Sequence, residues 1–557
     1  MRNTPISLLV LLLLAVSMRL NAQSIFGGFV SVQVNVDAAG MNTIGDAANE
    51  PSIAVDPTNP LRVAIGWRQF DTVASNFRQA GWGYSIDGGL AWTFPGVIEP
   101  GVFRSDPVLE ADANGVIYYH SLTTAGGGYS CDLFRSFDGG ATWDTGVDAY
   151  GGDKAWIAID RTGGPGHGNI YAAWDYAGCC GDNWFNRSTD GGATFEPPVP
   201  IPEQPVWGVV AVGPDGEVYI AGRRSPVYDE FVVAKSTTIA DPGAALAFDF
   251  ATVVDLGGAL VYGGGPNPGG LLGQVWIDVD HSSGPTRGYV YVLCSVNPPG
   301  SDPLDVHLVR STNGGVSFEP PVRINDDPLG SNDWQWFGTL AVAPNGRLDV
   351  IWNDTRANPG GFWSQLYYSS SLDAGLSWSP NQALSIAFDP HLGWPQQQKL
   401  GDYYDMVSDL VGVDVAYAAT FNGEQDVYYL RIGDTDCNQN GTGDAQDILS
   451  GASPDINLNG IPDECESSLP FQRGDCNGDD GINIADPITL LAYLFGALPL
   501  LDCSDSCDGN DDGALDISDA IAQLTALFAL RGPLPPPTDC GADPTPDTLA
   551  CTSSVCP

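Results

Sequence analysis

The chain has 557 residues, of which 22 are Lys or Arg and 68 are Asp or Glu, so its formal net charge is −46. A surface this acidic repels nucleic acid and anionic membranes and attracts divalent cations, which excludes a nucleic-acid-binding function. The length allows several domains, and 69 Gly and 42 Pro between short alternating segments are typical of an all-β protein with many tight turns.

The first residues have the pattern of a secretory signal peptide. Arg2 supplies a positive charge, residues 8–16 form a short apolar core, and Leu20-Asn21-Ala22 is a small-residue cleavage site. We therefore predict a signal peptide over residues 1–22, cleaved after Ala22, and a secreted protein that is extracellular or lies at the cell surface. No later stretch reaches the roughly 18 continuous apolar residues of a membrane helix, so no membrane span is predicted.

A repeated motif dominates the next four hundred residues. The pattern S-x-D-x-G-x-x-[W/F] occurs four times, and a fifth copy has Asn in place of Asp; the copies begin at Ser85, Ser136, Ser188, Ser311 and Ser371. Each copy follows two strand-like runs, and two further units keep both runs without the motif. The units begin near Glu50, Asp106, Lys154, Val206, Gln274, Gln335 and Gly401. We predict a seven-bladed β-propeller, with six blades as the alternative, in which residues 30–36 complete the last blade.

The motifs resemble the Asp-box (BNR) repeats of sialidases and related propellers, and the resemblance covers roughly residues 28–433. Turn chemistry accounts for every position of the box. The Ser hydroxyl and the Asp carboxylate can bond backbone groups, Gly allows a positive φ, and the aromatic residue packs between blades. The boxes are therefore predicted to be structural, and their Asp residues are not catalytic candidates.

Antiparallel connectivity places the boxes at one end of each blade and a candidate site at the opposite, box-free end. The residues that this reasoning collects around the axis are Glu50, Trp67, Arg68, Asp106, His120, Asp153, Lys154, Trp174, Asp175, Arg223, Gln274, Gln335, Trp352, Asp354, Arg356, Asp402 and Tyr403. Aromatic faces can cover sugar rings while charged groups bind hydroxyls or acidic substituents. The ligand-binding prediction comprises Trp67, Arg68, Asp106, Trp174, Asp175, Arg223 and Trp352.

Two carboxylates at a suitable separation could also cleave a glycoside. The catalytic candidates are Asp354, Asp402, Tyr403, Glu50 and Arg356. Resemblance to sialidases implies three arginines that bind the substrate carboxylate, the first in an Arg-Ile-Pro motif, with a Tyr–Glu nucleophile pair and an Asp acid. This chain has Asn49-Glu50-Pro51-Ser52 in place of Arg-Ile-Pro, which puts sialidase activity in doubt.

The composition changes at residue 434, where acidic loops begin. Oxygen ligands at loop positions 1, 3 and 5, Gly at 6 and carboxylates at 9 and 12 can wrap Ca²⁺. The first two predicted loops use Asp436, Asn438, Asn440, Asp444 and Asp447, and then Asp455, Asn457, Asn459, Asp463 and Glu466. Residues 434–467 resemble thrombospondin type 3 calcium repeats. Cys437 and Cys465 bracket them and are expected to form a disulfide.

A second pair of loops, each followed by an apolar helical segment, occupies residues 471–531. The predicted ligands are Asp475, Asn477, Asp479 and Asp486 in one loop and Asp508, Asn510, Asp512 and Asp519 in the other. The pair resembles a dockerin domain, an EF-hand-type module whose helix faces can bind a cohesin-like partner. Residues 532–557 are predicted to form a small Pro- and Cys-rich cap.

Three functions remain open at this level. The propeller can bind a glycan or an extracellular protein while the tail mediates attachment or assembly. It can be a sialidase-like glycoside hydrolase that acts on an extracellular polysaccharide. It can also be a rigid spacer in an extracellular layer, because a fold alone does not determine a reaction.

Overall fold

The computed structural model of the chain describes residues 22–125, 128–453, 462, 465, 471–479, 481–496, 501, 503–529, 532–541, 549 and 551. The chain divides into two compact units, Met1–Gly443 and Asp444–Pro557. Residues 1–21 of the predicted signal peptide lie outside the described residues. So do Asp455, Asn457, Asn459, Asp463 and Glu466 of the predicted second calcium loop.

The first unit is a seven-bladed β-propeller, which confirms the predicted fold class and blade number. It begins with a hairpin of β1 (Gln23–Phe26) and β2 (Phe29–Gln33). Blade one contains β3 (Ala47–Val55), β4 (Val63–Phe70), β5 (Gln79–Ser85) and β6 (Thr93–Val97). Blade two contains β7 (Ser105–Ala111), β8 (Ile117–Ala125), β9 (Gly128–Ser136) and β10 (Val147–Asp148). Blade three contains β11 (Trp156–Ile159), β12 (Ile170–Ala173) and β13 (Phe185–Ser188).

Blades four to seven follow the same antiparallel order. They contain β14 (Pro205–Val206), β15 (Val210–Val212), β16 (Val218–Arg224), β17 (Phe231–Ser236) and β18 (Phe250–Val254); β19 (Ala259–Leu260), β20 (Trp276–Val279), β21 (Val290–Asn297), β22 (Asp305–Ser311) and β23 (Val322–Arg323); β24 (Gln335–Val342), β25 (Leu348–Asp354), β26 (Gln365–Ser371) and β27 (Gln382–Ala383); and β28 (Asp405–Ser408), β29 (Gly412–Ala419) and β30 (Asp426–Gly433).

The N-terminal hairpin closes the ring. Strand β2 pairs with β30, with Ser31 opposite Leu430 and Gln33 opposite Tyr428, so the seventh sheet has the order β1-β2-β30-β29-β28. The sequence predicted this role for residues 30–36, and the strand observed is the shorter Phe29–Gln33. The closure joins the N-terminal and C-terminal segments of the propeller within one sheet.

The second strands of the blades are buried on both faces because neighbouring blades stack on each other. Every residue of Val63–Phe70 is buried, as is every residue of Leu348–Asp354. Gly66 allows one of these contacts, since a Cβ atom there would lie 2.4 Å from the Tyr119 ring of the next blade. This packing explains why these strands are nearly continuous apolar runs in the sequence.

The five boxes form one recurring turn. Ser136 Oγ accepts a hydrogen bond from Gly140 N at 2.8 Å and donates to Asp138 Oδ1 at 2.7 Å. The corresponding Ser-to-Gly distance is 2.9 Å in the other four boxes. In the fifth box Asn313 replaces Asp and keeps the bond from the Ser hydroxyl, because that bond needs only an acceptor oxygen. Ser311 Oγ donates to Asn313 Oδ1 at 2.9 Å.

A second repeated feature lies at the opposite end of the blades, where the first strands begin. Glu50, Asp106, Lys154, Trp207 and Phe337 all have positive φ angles, between 47° and 59°. The pairing register shifts beside three of them, as it does between Asn49 and Ser52. Left-handed backbone at a non-Gly residue costs roughly 1–3 kcal/mol and tends to occur at functional sites. In five of the seven blades, one residue is thus turned out of the regular pleat.

The described residues of the second unit form four short helices: α1 (Asp444–Ser450), α2 (Ala485–Leu494), α3 (Ser504–Cys507) and α4 (Ile517–Phe528). Helices α2 and α4 pack through Leu490 and Ala520 beside the disulfide Cys476–Cys507. Asp516 caps α4 in a capping box with Asp519. Each of the two long helices therefore follows an acidic loop, as the sequence predicted.

Several cysteines are oxidised, which is compatible with an extracellular protein. The disulfides with both partners described are Cys179–Cys180, Cys476–Cys507 and Cys503–Cys551. Cys437 and Cys465 are also disulfide-bonded. Across the part of the chain that the structure describes, no helix combines the length and the apolar character needed to cross a membrane.

Candidate functional site

The box-free end of the propeller contains a cavity of about 690 Å³ around the axis. We call it the axial cavity. It is lined by Arg68, Arg78, Asp106, Tyr129, Asp153, Lys154, Tyr176, Trp207, Tyr228, Tyr262, Gly269, Leu271, Gln397, Gln398, Lys399 and Asp402. Three of the five positive-φ residues, one each from blades two, three and four, are among these, so the left-handed backbone at these positions accompanies polar and aromatic groups at the cavity.

A network of alternating charges forms one side of the axial cavity. Lys154 Nζ lies 2.7 Å from Asp402, 3.2 Å from Asp106 and 3.6 Å from Asp153. Lys399 Nζ lies 2.5 Å from the same Asp402 carboxylate and 3.2 Å from Glu50. The network joins side chains from four parts of the ring.

Two arginines extend this charged surface and keep donors available. Arg68 forms an ion pair with Glu50 at 3.0 Å, yet its Nη2 atom is buried without a hydrogen-bond partner. Arg78 bonds Ser105 Oγ and the backbone of Asn76, and no carboxylate lies within 4.0 Å of it among the described residues. Unsatisfied guanidinium donors in a cavity favour an anionic or hydroxyl-rich ligand.

Aromatic rings form another wall of the axial cavity. Trp207 is in contact with Tyr228 and Tyr262, at ring-centroid distances of 5.9 and 6.0 Å. Arg223 supports the wall, because its guanidinium lies 4.4 Å from the Trp207 ring centroid and 4.2 Å from that of Tyr228. Asp175 fixes the Trp207 ring by accepting its Nε1–H at 3.1 Å. Tyr262 is 58% exposed and so offers a face to a ligand.

The structure separates the predicted ligand-binding residues into two groups. Arg68 and Asp106 line the axial cavity, and Asp175 and Arg223 support its aromatic wall. The side chains of Trp67, Trp174 and Trp352 are instead buried in the core between blades. Each of these rings is covered by the packed sheets, so none of them is accessible to a ligand in this structure.

The catalytic candidates are likewise divided. Asp402 lines the cavity, and Glu50 lies directly behind it in the charged network. Tyr403 is buried, with its hydroxyl donating to Pro107 O at 2.9 Å. Asp354 and Arg356 pair with each other at 2.8 Å in blade six and are not among the residues that line the cavity.

The sequence did not indicate several of the residues that line the cavity. Lys399 and Tyr262 lie in long segments between blades that have no strand periodicity, so nothing in the pattern marked them. Trp207 precedes a degenerate blade without a box. Asp153 was collected at the box-free end but given no role. What distinguishes Asp153 is its position beside Lys154 and Asp106, and only the folded chain brings Asp106 next to it.

The carboxylates of the cavity have different proton affinities. Burial, with a contribution from Asp106, raises the pKa of Asp153 to about 7. Burial also raises the pKa of Glu50 to about 7, although Arg68 and Lys399 oppose it. Burial works in the same direction at Asp402, but Lys154 and Lys399 outweigh it and hold its pKa well below the usual range. The cavity thus combines protonated and ionised carboxyl groups near neutral pH.

We expect the propeller to be more stable at pH 5 than at pH 8, in chelator. Burial raises the pKa values of Glu50 and Asp405 to about 7, so between pH 4 and 7 the native state binds more protons than the unfolded state. The free energy of unfolding then falls as pH rises through this range. Denaturant unfolding followed by tryptophan fluorescence measures the difference, and Asp405→Asn should reduce it. A higher stability at pH 8 would contradict the assignment.

The two predicted calcium loops that precede α2 and α4 share one hydrogen-bond pattern. The first carboxylate accepts backbone N–H groups from within its loop, as Asp475 does from Asp479 N at 3.1 Å and Asp508 does from Gly513 N at 2.9 Å. The last carboxylate accepts the N–H of position 9, and the distance is 2.7 Å at Asp486 and 2.8 Å at Asp519. These bonds curl each loop around its own carboxylates.

The loop that begins at Asp508 provides the clearest test of fit for a cation. The carboxylates of Asp508, Asp512 and Asp519 lie within 4.8 Å of one another. Asn510 Oδ1, at loop position 3, is buried and has no hydrogen-bond partner. Converging carboxylates beside an unpartnered amide oxygen are the donor set that Ca²⁺ prefers.

The other predicted metal ligands are placed as follows. Asn477 and Asp479 lie in the loop of Asp475, where Asn477 Nδ2 donates to Asp479 at 3.1 Å. In the first unit, Asp436 accepts hydrogen bonds from Asn440 N at 3.0 Å and Gly441 N at 2.9 Å, and Asn438 Oδ1 accepts from Asn440 N at 3.1 Å. In the second unit, Asp444 and Asp447 are buried on α1.

Comparison with known proteins adds little beyond the fold. No family model matches the chain, and no curated protein matches it. Among solved structures, it is similar to a protein of unknown function from Dyadobacter fermentans. That likeness has 15% sequence identity and a TM-score of 0.42, and it covers 73% of this chain and 100% of the other.

Proposed function

We propose that this is a secreted, calcium-binding protein whose propeller binds a carbohydrate in the axial cavity and whose dockerin-like tail attaches it to an extracellular partner. The observation that carries the first part is the cavity's two-sided chemistry. An aromatic wall of Trp207, Tyr228 and Tyr262 lines the same cavity as a charged surface that includes Arg68 and Arg78. Sugar rings present apolar faces and hydroxyl edges, which match these two sides.

The charged side favours a sugar with an acidic substituent. Arg68 keeps a buried donor without a partner, and burial together with the charge of Arg68 lowers the pKa of Arg78. A ligand carboxylate or sulfate would relieve the repulsion between the two guanidinium groups and accept their free donors. Neutral sugars offer only the weaker hydrogen bonds of hydroxyls.

The test is binding of the mature full-length protein, in calcium, to an array of acidic and neutral glycans. We expect Tyr262→Ala to weaken binding at least about tenfold, which corresponds to about 1.4 kcal/mol for one aromatic contact. Trp363→Ala is the matched control, because Trp363 is a half-exposed aromatic residue that does not line the cavity. Equal losses in both variants, or no glycan binding by the wild type, would exclude this site.

Hydrolysis of the bound glycan is the second candidate function. Asp153 and Asp402 both contact the Lys154 ammonium group, and their pKa values are displaced in opposite directions. A protonated carboxyl beside an ionised one is the arrangement that glycoside cleavage uses. If acidic polysaccharides are cleaved, Asp153→Asn should abolish product release while glycan binding persists. If none is cleaved, the binding role stands alone, and an inert cavity would favour the architectural role.

The tail supports attachment through exposed apolar side chains next to the calcium loops. Ile488 and Phe495 are exposed at α2, and Ile521 and Phe528 are exposed at α4. Exposed aliphatic and aromatic groups on a calcium-dependent module fit a cohesin-like partner. Retention of the full chain on the surface of the cells that secrete it should be lost in a Phe495→Ser/Phe528→Ser variant. Unchanged retention would exclude attachment through these helices.

A further inference from the structure

Two buried acidic residues lie where the propeller ring closes, and we call them the seam carboxylates. Asp46 directly precedes β3, in the first blade, and Asp426 begins β30, in the last blade. Their residues are 4% and 0% exposed. Asn35, which follows the closing strand β2, donates its amide N–H to Asp426 Oδ1 at 2.7 Å. Burial raises the pKa of Asp46 to about 6 and that of Asp426 to about 7, and the Asn35 amide beside both carboxylates opposes both shifts. The two carboxylates therefore share one neighbour.

The seam carboxylates have no compensating positive charge. Among the described residues, no Lys, Arg or His nitrogen lies within 4.0 Å of either one. Elsewhere in the propeller, buried carboxylates are neutralised by cations, as Asp106 is by Lys154 and Asp414 is by Arg431. Two uncompensated carboxylates in a low dielectric repel each other and lose their hydration.

Each seam carboxylate also has an oxygen without a partner. Asp46 Oδ2 accepts from Gln69 Nε2 at 2.8 Å, while Asp46 Oδ1 is buried and unpaired. Asp426 Oδ1 accepts from Asn35, while Asp426 Oδ2 is buried and unpaired. By contrast, both oxygens of the buried Asp405 are satisfied by hydrogen bonds from Ser52, Ile53 and Met406. The two unpaired oxygens are therefore available to bind a ligand at the seam.

A third acidic group stands at the edge of this position. Glu424 is partly exposed, and its negative charge raises the pKa values of both Asp46 and Asp426. It is held in place by Gly45 N at 2.9 Å and by Asn42 Nδ2 at 3.3 Å. A partly exposed carboxylate gives a cation a route from solvent and leaves room for water ligands.

We propose that Asp46 and Asp426 bind a divalent cation, with Ca²⁺ as the expected ion, at the seam between the first and last blades. The donors are all oxygens, which suits a hard cation, and water molecules complete the shell because only two carboxylates are fully buried. The ion ties the segment after β2, the first blade and the last blade together. This site is independent of the tail loops and of the axial cavity.

The tryptophans allow the seam site to be observed in the full chain. All fifteen lie between Trp67 and Trp394, and residues 434–557 contain none, so intrinsic fluorescence follows the propeller rather than the tail. Trp67 lies near the seam, since its Nε1 donates to Gln69 Oε1 at 2.6 Å and Gln69 in turn bonds Asp46. Tryptophan-sensitised terbium luminescence should therefore detect an ion bound there.

The experiment compares the wild type with Asp46→Asn/Asp426→Asn and, as the matched control, with Asp508→Asn/Asp519→Asn. Both variants remove two carboxylates, but only the first removes them from the seam. We expect terbium luminescence, displaced by calcium, to be lost in the seam variant and kept in the tail variant. Equilibrium dialysis should show one fewer calcium ion per chain in the seam variant than in the wild type.

Thermal unfolding followed by tryptophan fluorescence separates a lost site from a damaged fold. In chelator the seam variant should unfold at a higher temperature than the wild type, because it no longer buries repelling charges. Added calcium should raise the unfolding temperature of the wild type and leave the seam variant unchanged. Equal calcium stoichiometry, or a calcium-dependent shift that survives in the seam variant, would overturn the proposal. So would a wild type whose propeller does not respond to calcium, since the carboxyls would then share a proton.

Discussion

Removal of calcium is expected to increase the rate of proteolysis within residues 471–529 of the full chain about 100-fold. A ligand present at about 100 times its Kd stabilises the state that binds it by about 2.7 kcal/mol, and chelation removes that contribution. The Asp508, Asp512 and Asp519 carboxylates, which lie within 4.8 Å of one another, then repel without a cation between them. Limited proteolysis with mass-spectrometric mapping of the cuts measures the effect.

The control for this experiment is built into the chain. Asp508→Asn/Asp519→Asn, assayed in calcium, should be cut in the same segment as the chelated wild type. The disulfide Cys476–Cys507 joins the two loops in both cases, so fragments should stay linked until reduction. Identical cutting rates in calcium and in chelator would show that the loops fold without metal and would remove the calcium proposal for the second unit.

Replacement of Lys154 by Met is expected to lower the free energy of unfolding of the propeller by about 3–5 kcal/mol. Removing one partner from a buried ion pair costs this much because the remaining charges lose their compensation. Lys154 is the cation shared by Asp106 and Asp402, both of which are buried. Met keeps the length of the side chain and tolerates the positive φ of residue 154 as well as Lys does. Denaturant unfolding followed by tryptophan fluorescence gives the value.

The matched control is Lys235→Met, since Lys235 is equally buried but has a single carboxylate neighbour, Glu217, at 3.6 Å. The free energy of unfolding should fall much less in Lys235→Met than in Lys154→Met. Adding Asp106→Asn to Lys154→Met should recover part of the stability, because it removes one of the unpaired charges. Equal losses for Lys154→Met and Lys235→Met would mean that packing of the aliphatic stems, and not the charge network, sets the cost.

Local chemistry made the fold predictable. The box motif is a complete turn within eight residues, and Ser136, Asp138 and Gly140 make the bonds that the sequence indicates. Its spacing therefore located five of the seven blades, and the paired strand-like runs located the two blades without a box. The closing strand was also predictable, because the last repeat unit stops after three strands and the alternating segment near the N-terminus could supply the fourth. The acidic loops of the tail were predictable for the same reason, because the carboxylates of each described loop accept hydrogen bonds from backbone groups of that loop.

The site was only partly predictable because it depends on which residues meet across the ring. Connectivity alone indicated the box-free end, and it brought Arg68, Asp106 and Asp402 to the axial cavity. It could not tell that Trp67 and Trp352 would be covered by neighbouring blades, because burial is a property of the stacked sheets. An aromatic residue at the end of a strand looks the same in sequence whether it packs or is exposed.

The sequence by itself determined the seven-bladed architecture and the positions of the acidic loops, because both arise from hydrogen bonds between residues a few positions apart. Only the tertiary structure decided which charges are paired. Lys154 joins Asp106 to Asp402, and Asp46 and Asp426 share the neighbour Asn35 without a cation among the described residues, although each pair is separated by most of the chain. The electrostatic environment of a charged side chain depends on its distance in space from other charges and on its burial, and the local sequence determines neither.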